Sequence, residues 1–338
     1  MKKLLLLGAK LLILPLLLAA CSTKAPSTSP SSSTTEEVTQ QQFEAGNGAF
    51  SISLKGDWEA VDYLPGFDLE LSSPDDSREI QINQYAKKDI FLTVAEFAEK
   101  NFLAADGTIV LSETSPLETS IAGKKGYLKK VILESEGEYC HHILFTYEDQ
   151  DFYKEISFGY WQDEKPEEFS KKAEEEGEVF ITQLVESWKS QTASKDYQLT
   201  QQVSLPQTNM TLTILENWLP DSAAPASSDA LYYVSKEESQ AFWVSFISTN
   251  GNPVDLHQLA LESSSIFSAD TKIEESTVGA HSGYLLQYTS KLNDMFQLQN
   301  QVYLFEINGY LLTFHFSFFP SEYEQFKPSM EAIIQSLK

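Results

Sequence analysis

Three side chains within one short segment have the types and the spacing that could hold a metal ion. Glu138, Cys140 and His142 stand at every second position, so a β-strand through them would place all three on one face. Carboxylate, thiolate and imidazole groups are all zinc ligands, but zinc sites usually add a second, closely spaced ligand pair, and this sequence shows none. We therefore expect an ordinary half-exposed strand with no metal and no cofactor, and keep these three residues as the candidates for a metal site.

The remaining histidines do not add to this group. His141 directly precedes His142 and would point to the opposite face of the strand. His315 falls on the polar positions of an alternating segment, where a solvated or hydrogen-bonded imidazole is expected. His257 and His281 stand at a predicted helix start and in a predicted turn.

Motifs of the common enzyme classes are missing from the sequence. It contains no GxGxxG, P-loop or HExxH pattern, and residues 279–283 lack the central serine of a G-x-S-x-G elbow. The acidic run 174–176 lacks the alternating ligands and glycine of a calcium loop, so we interpret it as a solvated helix face. We expect no catalytic residue, and a hydrolase of envelope polymers with paired carboxylates is the least favoured alternative.

The other cysteine, Cys21, follows an apolar N-terminal segment. Lysines open the segment, leucines dominate residues 4–20, and it ends in Leu18-Ala19-Ala20-Cys21. This layout is typical of a secretory signal, and its end resembles a bacterial lipobox. The resemblance implies that residues 1–20 are a signal peptide and that Cys21 is acylated and becomes the mature N-terminus. A signal-anchor helix is the alternative, but a stable span needs about 20 apolar residues, and Pro15 interrupts this one.

Residues 21–42 are predicted to be a lipidated tether. From Ser22 to Thr35 the chain is almost entirely Ser, Thr and Pro, a composition that cannot bury apolar surface. With Cys21 acylated, Cys140 has no disulfide partner, so a buried free thiol is expected. The tether and the preference for lysine over arginine resemble Gram-positive surface lipoproteins.

The rest of the sequence contains two diverged copies of one pattern, at 43–190 and 197–338. An alternating strand is followed by Trp58 in the first copy and by Trp218 at the same spacing in the second. A helix then begins at a capping residue, Thr93 or Asp255. A Gly-Tyr element, predicted to follow a tight turn, comes next. Each copy ends in an alternating strand and an amphipathic helix.

Each copy reads as β-β-β-α-β-β-β-β-α, which indicates an α+β fold. Strands joined by short turns form a mostly antiparallel sheet, and two amphipathic helices must cover it. The strand ending in tryptophan, the mid-domain helix, the Gly-Tyr strand and the closing helix together resemble the PsbP-like α/β/α sandwich. The resemblance implies a sheet of six or seven antiparallel strands between helices, and it implies no active site.

The charge of the chain limits its partners. Acidic residues outnumber basic ones by 49 to 24, for a formal net charge of −25. Nucleic acid is therefore excluded as a partner, because binding phosphates needs clustered Lys and Arg. The first copy carries 31 acidic and 14 basic residues, and the second carries 15 and 5. Aromatic residues of the second copy, at 242–243 and 314–319, are expected to fill its core, with an exposed patch for a partner as the alternative.

These features predict a non-enzymatic lipoprotein of the cell envelope. It would be held in the membrane through acylated Cys21, on the extracytoplasmic side, where its two domains would bind or scaffold an unidentified envelope protein. Capture of a solute or a metal for an uptake system is the alternative, and it would require a cleft between the copies lined by aromatic residues and histidines.

Overall fold

The computed structural model describes residues 40–46, 48–61, 68–101, 108–191, 197–224, 227–235 and 240–338. These residues form two α+β halves, each built on one large antiparallel sheet. The predicted signal peptide, Cys21 and nearly all of the predicted tether lie outside the described residues. Strand β1 nevertheless includes residues 40–42, which the sequence assigned to the tether. They pair with strand β2 through the backbone, which needs no apolar side chains.

The elements of the first half, in chain order, are β1 (Gln40–Glu44), β2 (Phe50–Lys55), β3 (Glu59–Ala60), β4 (Leu69–Ser72), β5 (Arg78–Ala86), a 3₁₀ turn (Lys87–Asp89), α1 (Val94–Lys100), β6 (Ile109–Glu113), β7 (Leu117–Ile121), β8 (Lys124–Ser135), β9 (Glu138–Asp149), β10 (Phe152–Gln162), α2 (Lys171–Ser187) and β11 (Lys189–Ser190).

Those of the second half are β12 (Leu199–Ser204), β13 (Thr211–Leu215), β14 (Trp218–Pro220), β15 (Ala230–Ser235), β16 (Gln240–Ser248), α3 (Leu256–Phe267), β17 (Lys272–Val278), β18 (His281–Lys291), β19 (Gln297–Ile307), β20 (Tyr310–Phe318), a 3₁₀ turn (Pro320–Glu322) and α4 (Tyr323–Gln335).

The two main sheets have the same strand order, which confirms the repeat. The first runs β3-β4-β5-β10-β9-β8-β6, with β7 also on β8, and the second runs β14-β15-β16-β20-β19-β18-β17. Five strands, not the predicted three, precede the middle helix of each half. The shortest strands, β3 and β14, have only two and three residues, too few to show an alternating pattern.

Helices cover both faces of each main sheet, as the sandwich architecture predicts. Helix α1 begins with the predicted capping box at Thr93, and Asp255 caps α3 by accepting a hydrogen bond from the backbone of Gln258. Helix α2 packs on the apolar face of the first sheet, where Gly177 lies against Ile143 and Phe158. Because α1 contacts β8 and β9 on the other side, the sheet is buried on both faces.

Aromatic residues fill the core of the second half. Phe242, Phe314, Phe316 and Phe318 are fully buried in one cluster with Trp218. This confirms the prediction that the aromatic residues of this half form its core. Alternation places every second side chain of β16 and β20 on the face that α4 covers.

The two halves contact each other through the segment after β5 and the loop before β19. Ile90 and Phe296 form an antiparallel backbone bridge, and the backbone N–H of Ser321 donates to Oδ1 of Asp89 at 2.7 Å. Apolar side chains of both halves pack around the bridge, among them Phe97, Tyr153 and Met295. The aromatic residues at this contact are therefore packed against one another.

The Gly-Tyr elements follow tight turns and open strands, as predicted. The turns are made by Gly123 and Gly279, with φ of +77° and +61°. Gly126 and Gly283 instead lie inside strands, where a neighbouring strand passes very close. A Cβ on Gly126 would lie 2.5 Å from the carbonyl oxygen of Thr146, and one on Gly283 would lie 1.9 Å from that of Leu304.

Replacing Gly283 with alanine should separate β18 from β19. We expect Gly283→Ala to lower the free energy of unfolding by about 3 kcal/mol, at the upper end of overpacking costs, because backbone atoms must move. Gly46→Ala is the matched control, since its Cβ would meet only the carbonyl oxygen of Asp68 at 3.9 Å. Equal stability of the two variants in urea denaturation would show that the strands do not approach as described.

Candidate functional site

One face of the first sheet is polar although it is buried. Strands β5, β9 and β10 place apolar side chains on the face that α2 covers, and polar side chains on the face toward α1. Buried polar residues on this second face are Asn83, His142, Thr146, Glu155 and Ser157. A buried polar group destabilises a fold unless it is hydrogen-bonded, so this layer must be internally paired.

Glu79, Cys140 and His142 come together at one end of the polar layer. Gly159 of β10 pairs with Glu79 on one side and with His142 on the other. Nε2 of His142 lies 3.1 Å from Oε1 of Glu79, and Sγ of Cys140 lies 4.0 Å from the same oxygen. All three potential ligand atoms are within 4.8 Å of one another.

The third member of this group differs from the sequence-based candidate. Glu138 is exposed at the first residue of β9 and does not belong to the group that Glu79 completes. The buried free thiol predicted for Cys140 is confirmed, but the segment is more buried than the expected half-exposed strand, since His142 is buried as well. The reason in both cases is non-local: β10 and β5 lie beside β9, and Cys140 packs with Val131 and Leu133 of the neighbouring strand β8. The alternation of apolar and polar residues in β5 places Glu79 on one face of that strand. Only the order of the strands in the sheet brings Glu79 next to His142.

The missing side chain of Gly159 makes room for the group. A Cβ at this position would lie 2.6 Å from Cγ of Glu79 and 3.0 Å from Sγ of Cys140. On the far side of the imidazole, Oγ of Ser157 lies 2.9 Å from Nδ1 of His142. The imidazole is thus held between Ser157 and Glu79.

Glu79 and His142 form a buried ion pair. Burial acts to lower the pKa of His142, but its contacts with Cys140 and Glu79 outweigh burial, and the pKa lies well above its usual value. Burial acts to raise the pKa of Glu79, but hydrogen bonding and charge attraction to His142 lower it overall. Burial also raises the pKa of the Cys140 thiol, against the lowering effect of His142.

Glu70 adds a second carboxyl group close to the ion pair. Burial, together with repulsion from Glu79, raises its pKa to about 7. Its Oε2 atom is buried and has no hydrogen-bond partner within the described part of the chain. Two carboxyl groups near one buried imidazole make this end of the layer electrostatically favourable for a cation.

A second polar group ties helix α1 to the sheet. The side-chain amide of Asn101, at the end of α1, donates to Oε2 of Glu155, and Nζ of Lys129 donates to the backbone carbonyl of Glu99 at 2.9 Å. Lys129 is only 3% exposed and also pairs with Glu113. Burial raises the pKa of Glu155 to about 7. The end of α1 is therefore anchored by buried hydrogen bonds.

The second half has a related polar pair in exchanged positions. With the two hairpins aligned on their turns, Asn300 corresponds to His142 and His315 corresponds to Ser157. Nε2 of His315 lies 3.1 Å from Oδ1 of Asn300, and its ring packs on Trp243. His315 is hydrogen-bonded but buried, and burial lowers its pKa well below the usual value.

Equivalents of the other two ligands are absent at these positions of the second half. Leu298 stands where Cys140 stands, and Ala241 stands where Glu79 stands. The candidate metal group therefore belongs to the first half. His141 has a structural role instead, since its Nδ1 accepts from the backbone N–H of Ser170 at the start of α2.

An open cleft lies on the other side of the first half. It encloses about 740 Å³ between the β2–β3 turn and α2, and Trp58, Arg78 and Phe180 help to line it. Arg78, the one arginine in the sequence, is paired with Glu176 at 2.6 Å. The charge of this guanidinium is thus matched within the protein. Glu176 belongs to the acidic run 174–176, which lies in helix α2 as predicted.

Comparisons with known proteins give only distant similarities. No family model and no curated protein matches the chain. Solved structures that match include the Ran-binding protein Mog1p of Saccharomyces cerevisiae, at 12% identity over 42% of this chain and 96% of that one, with a TM-score of 0.31. PsbP of Synechocystis matches at 12% identity over 48% of this chain and 98% of that one, with a TM-score of 0.30.

A protein from Bacteroides thetaiotaomicron matches at 17% identity over 51% of this chain and 52% of that one, with a TM-score of 0.29. At these TM-scores the similarities carry no argument about this chain. The α+β architecture and the repeat follow from the strands and helices themselves. Among the described residues, none of the helices combines the length and hydrophobicity of a membrane span.

Replacing Glu155 with glutamine should change how stability depends on pH. The pKa of Glu155 is about 7 in the folded state against an ordinary value of 4.5, so the folded state holds a proton that the unfolded state has released. Wild-type stability should therefore fall as pH rises from about 5 to about 7, by up to about 3 kcal/mol from this residue. Glu155→Gln should remove that part of the decline.

Urea denaturation at pH 5 and pH 8 measures the effect, and the difference between wild type and variant isolates Glu155 from other titrating groups. Glu118→Gln is the control, because it removes a carboxylate from an exposed position on β7. Parallel pH profiles for wild type and Glu155→Gln would show that Glu155 is ionised in the folded state.

Proposed function

We propose that this protein is a non-enzymatic, lipid-anchored protein of the extracytoplasmic membrane face, and that its first half docks an extended segment of a protein partner. Each half would be a PsbP-like domain, in keeping with the antiparallel sheet between helices. The observation that carries the docking role is the outer edge of the first sheet. Strand β6 is exposed along its whole length, although its first three residues are Ile109, Val110 and Leu111.

An apolar edge strand is unusual in a folded protein. The N–H and C=O groups along such an edge can pair with another chain, and native proteins normally protect them with charges or a covering element. Ile109 is 55% exposed, and Leu117 at the start of β7 is 68% exposed. Both strands pair with β8, which lies on their inner side.

The second half shows the protected form of the same edge. There a single strand, β17, occupies the position of β6 and β7, and it carries Lys272, Glu274 and Glu275 at exposed positions. One sheet edge of the molecule is thus charged and its counterpart is apolar. This contrast supports a docking role for β6, since both edges belong to one repeated fold.

The charge around β6 indicates what kind of segment would dock. Ile109 pairs with Glu134, the neighbouring β8–β9 turn contains Glu136, and β9 begins at the exposed Glu138. A partner strand with apolar side chains and basic flanking residues would match this edge in both respects. Backbone hydrogen bonds would supply affinity, and the side chains would supply specificity.

Site-specific crosslinking tests the docking role. A photoreactive amino acid at position 111 of the acylated full chain should crosslink to a defined partner in membranes of the source organism, while one at position 275 on β17 should not. Combining the photoreactive residue with Ile109→Lys should abolish the crosslinked adduct. The new positive charge would then lie against the basic flanking residues of the partner segment. Thr277→Lys, the matched change on β17, should leave it intact.

Crosslinking of equal strength at both positions, or an adduct that survives Ile109→Lys, would contradict docking at β6. Circular dichroism of each variant checks that the fold is retained.

The membrane anchor is tested separately at Cys21. We expect wild type to incorporate labelled fatty acid and to fractionate with membranes, and Cys21→Ser to lose the label. Cys140→Ser is the control, since Cys140 is buried and unpaired and should not affect labelling. Retention of label by Cys21→Ser would place the lipid elsewhere and overturn this part of the proposal.

Metal capture is the second candidate function. The observation in its favour is the group of Glu79, Cys140 and His142, whose ligand atoms lie within 4.8 Å of one another. A carrier for an uptake system would also need a route for the metal, and Glu79, with 17% of its side chain exposed, is the member of the group that reaches solvent.

A further inference from the structure

We propose that Glu79, Cys140 and His142 bind one divalent metal ion of the thiolate- and imidazole-preferring class, with Zn²⁺ the best match. The site is built across β5 and β9, over the Gly159 position of β10. It does not depend on the docking role of β6, because it lies on the α1-covered face and not at the sheet edge.

The distances within the group are close to those of a zinc site. With zinc–nitrogen and zinc–oxygen bonds of about 2.0 Å and a zinc–sulfur bond of about 2.3 Å, tetrahedral ligands are roughly 3.3 Å apart for N and O and 3.5 Å for S and O. Here Nε2 of His142 lies 3.1 Å from Oε1 of Glu79, and Sγ of Cys140 lies 4.0 Å from it. Sγ and Nε2 lie within 4.8 Å of each other, so the Cys140 side chain must move by roughly 1 Å for all three atoms to reach one ion.

The imidazole is already oriented as a metal ligand. A metal-binding histidine normally uses its second nitrogen in a hydrogen bond that fixes the ring. Oγ of Ser157 lies 2.9 Å from Nδ1 of His142, and this contact directs Nε2 toward Glu79 and Cys140.

The charges balance when the ion is bound. A bound ion would be held by a thiolate, a carboxylate and a neutral imidazole. Their two negative charges neutralise one divalent cation, which suits a buried position. Three protein ligands leave a fourth position for water.

The room for the ligands is specific to the first half. Gly159 lacks the Cβ that would meet both Glu79 and Cys140, whereas Ser317 occupies the corresponding position in the second half. Since Leu298 and Ala241 replace Cys140 and Glu79 there, we expect one ion per chain and not two.

Cobalt substitution tests the site. The full chain carrying Cys21→Ser, solubilised in detergent and freed of metal with EDTA, retains Cys140 as its one cysteine. Titration with Co²⁺ should give one tetrahedral ion per chain with a thiolate-to-cobalt charge-transfer band. Zn²⁺ should displace it and raise the melting temperature, and Mg²⁺ should do neither.

Substitutions identify which side chains bind the metal ion. Cys140→Ser should remove the charge-transfer band, and Ser157→Ala should weaken metal affinity by about 10–100-fold through the loss of ring orientation. His142→Asn should weaken it further, and this change suits the fold because Asn300 occupies the same place in the second half. His141→Asn is the control, since it removes a buried imidazole on the opposite face and should leave affinity unchanged.

If a variant does not fold, protection of the Cys140 thiol from alkylation provides a second measurement of metal binding. In mild denaturant, Zn²⁺ should slow alkylation of Cys140 in the chain with native ligands, and Mg²⁺ should not. Equal alkylation rates with and without Zn²⁺, Co²⁺ binding without a thiolate band, or binding that survives Cys140→Ser together with His142→Asn would each overturn the proposal.

Discussion

Burial of both faces of the central strands is the constraint on which the rest of this structure depends. In the first half, α2 covers the apolar face of β5, β9 and β10, and α1 packs on the other face, where Phe97 meets Tyr85 and Tyr153. A strand covered on one side can direct its polar side chains to water, but these strands cannot. Every polar side chain on the inner layer therefore needs a partner inside the protein, and the arrangement of Glu79, His142 and Glu155 follows from that need.

The short helix α1 depends on contacts with the rest of the protein for its stability. It has only seven residues, so its own hydrogen bonds contribute little stability. It is held by its capping box, by buried Phe97, and by the hydrogen bonds that its end makes with Lys129 and Glu155. Phe97 also belongs to the cluster that joins the halves, so the polar layer, the helix and the contact between halves stabilise one another.

Much of this architecture could be predicted from local patterns, and so could Cys140 and His142 of the site, but not its third member, Glu79. The capping residues, the closing helices, the buried tryptophans and the repeat all leave short-range signals in the sequence. The pairing of Glu79 with His142 leaves none, because the two residues are 63 positions apart and meet only through the order of β5, β10 and β9. Glu138 was the locally plausible ligand, and its exposure at the start of β9 could not be read from alternation. Gly126 and Gly283 were recognised as members of a turn-and-strand element. The close approach of the neighbouring strand, which requires glycine at both positions, is visible only in the structure.

The exchanged polar pair has a consequence for how the two halves diverged. In the first half a histidine on β9 meets a serine on β10, and in the second an asparagine on β19 meets a histidine on β20. Both strands changed, yet a hydrogen bond still spans the same two positions. The second half also gives each member a further partner, since Tyr288 lies 3.2 Å from the imidazole and Asn300 donates to Ser290. The same two positions of the repeated hairpin are thus joined by a hydrogen bond in both halves, although the residues that make it differ.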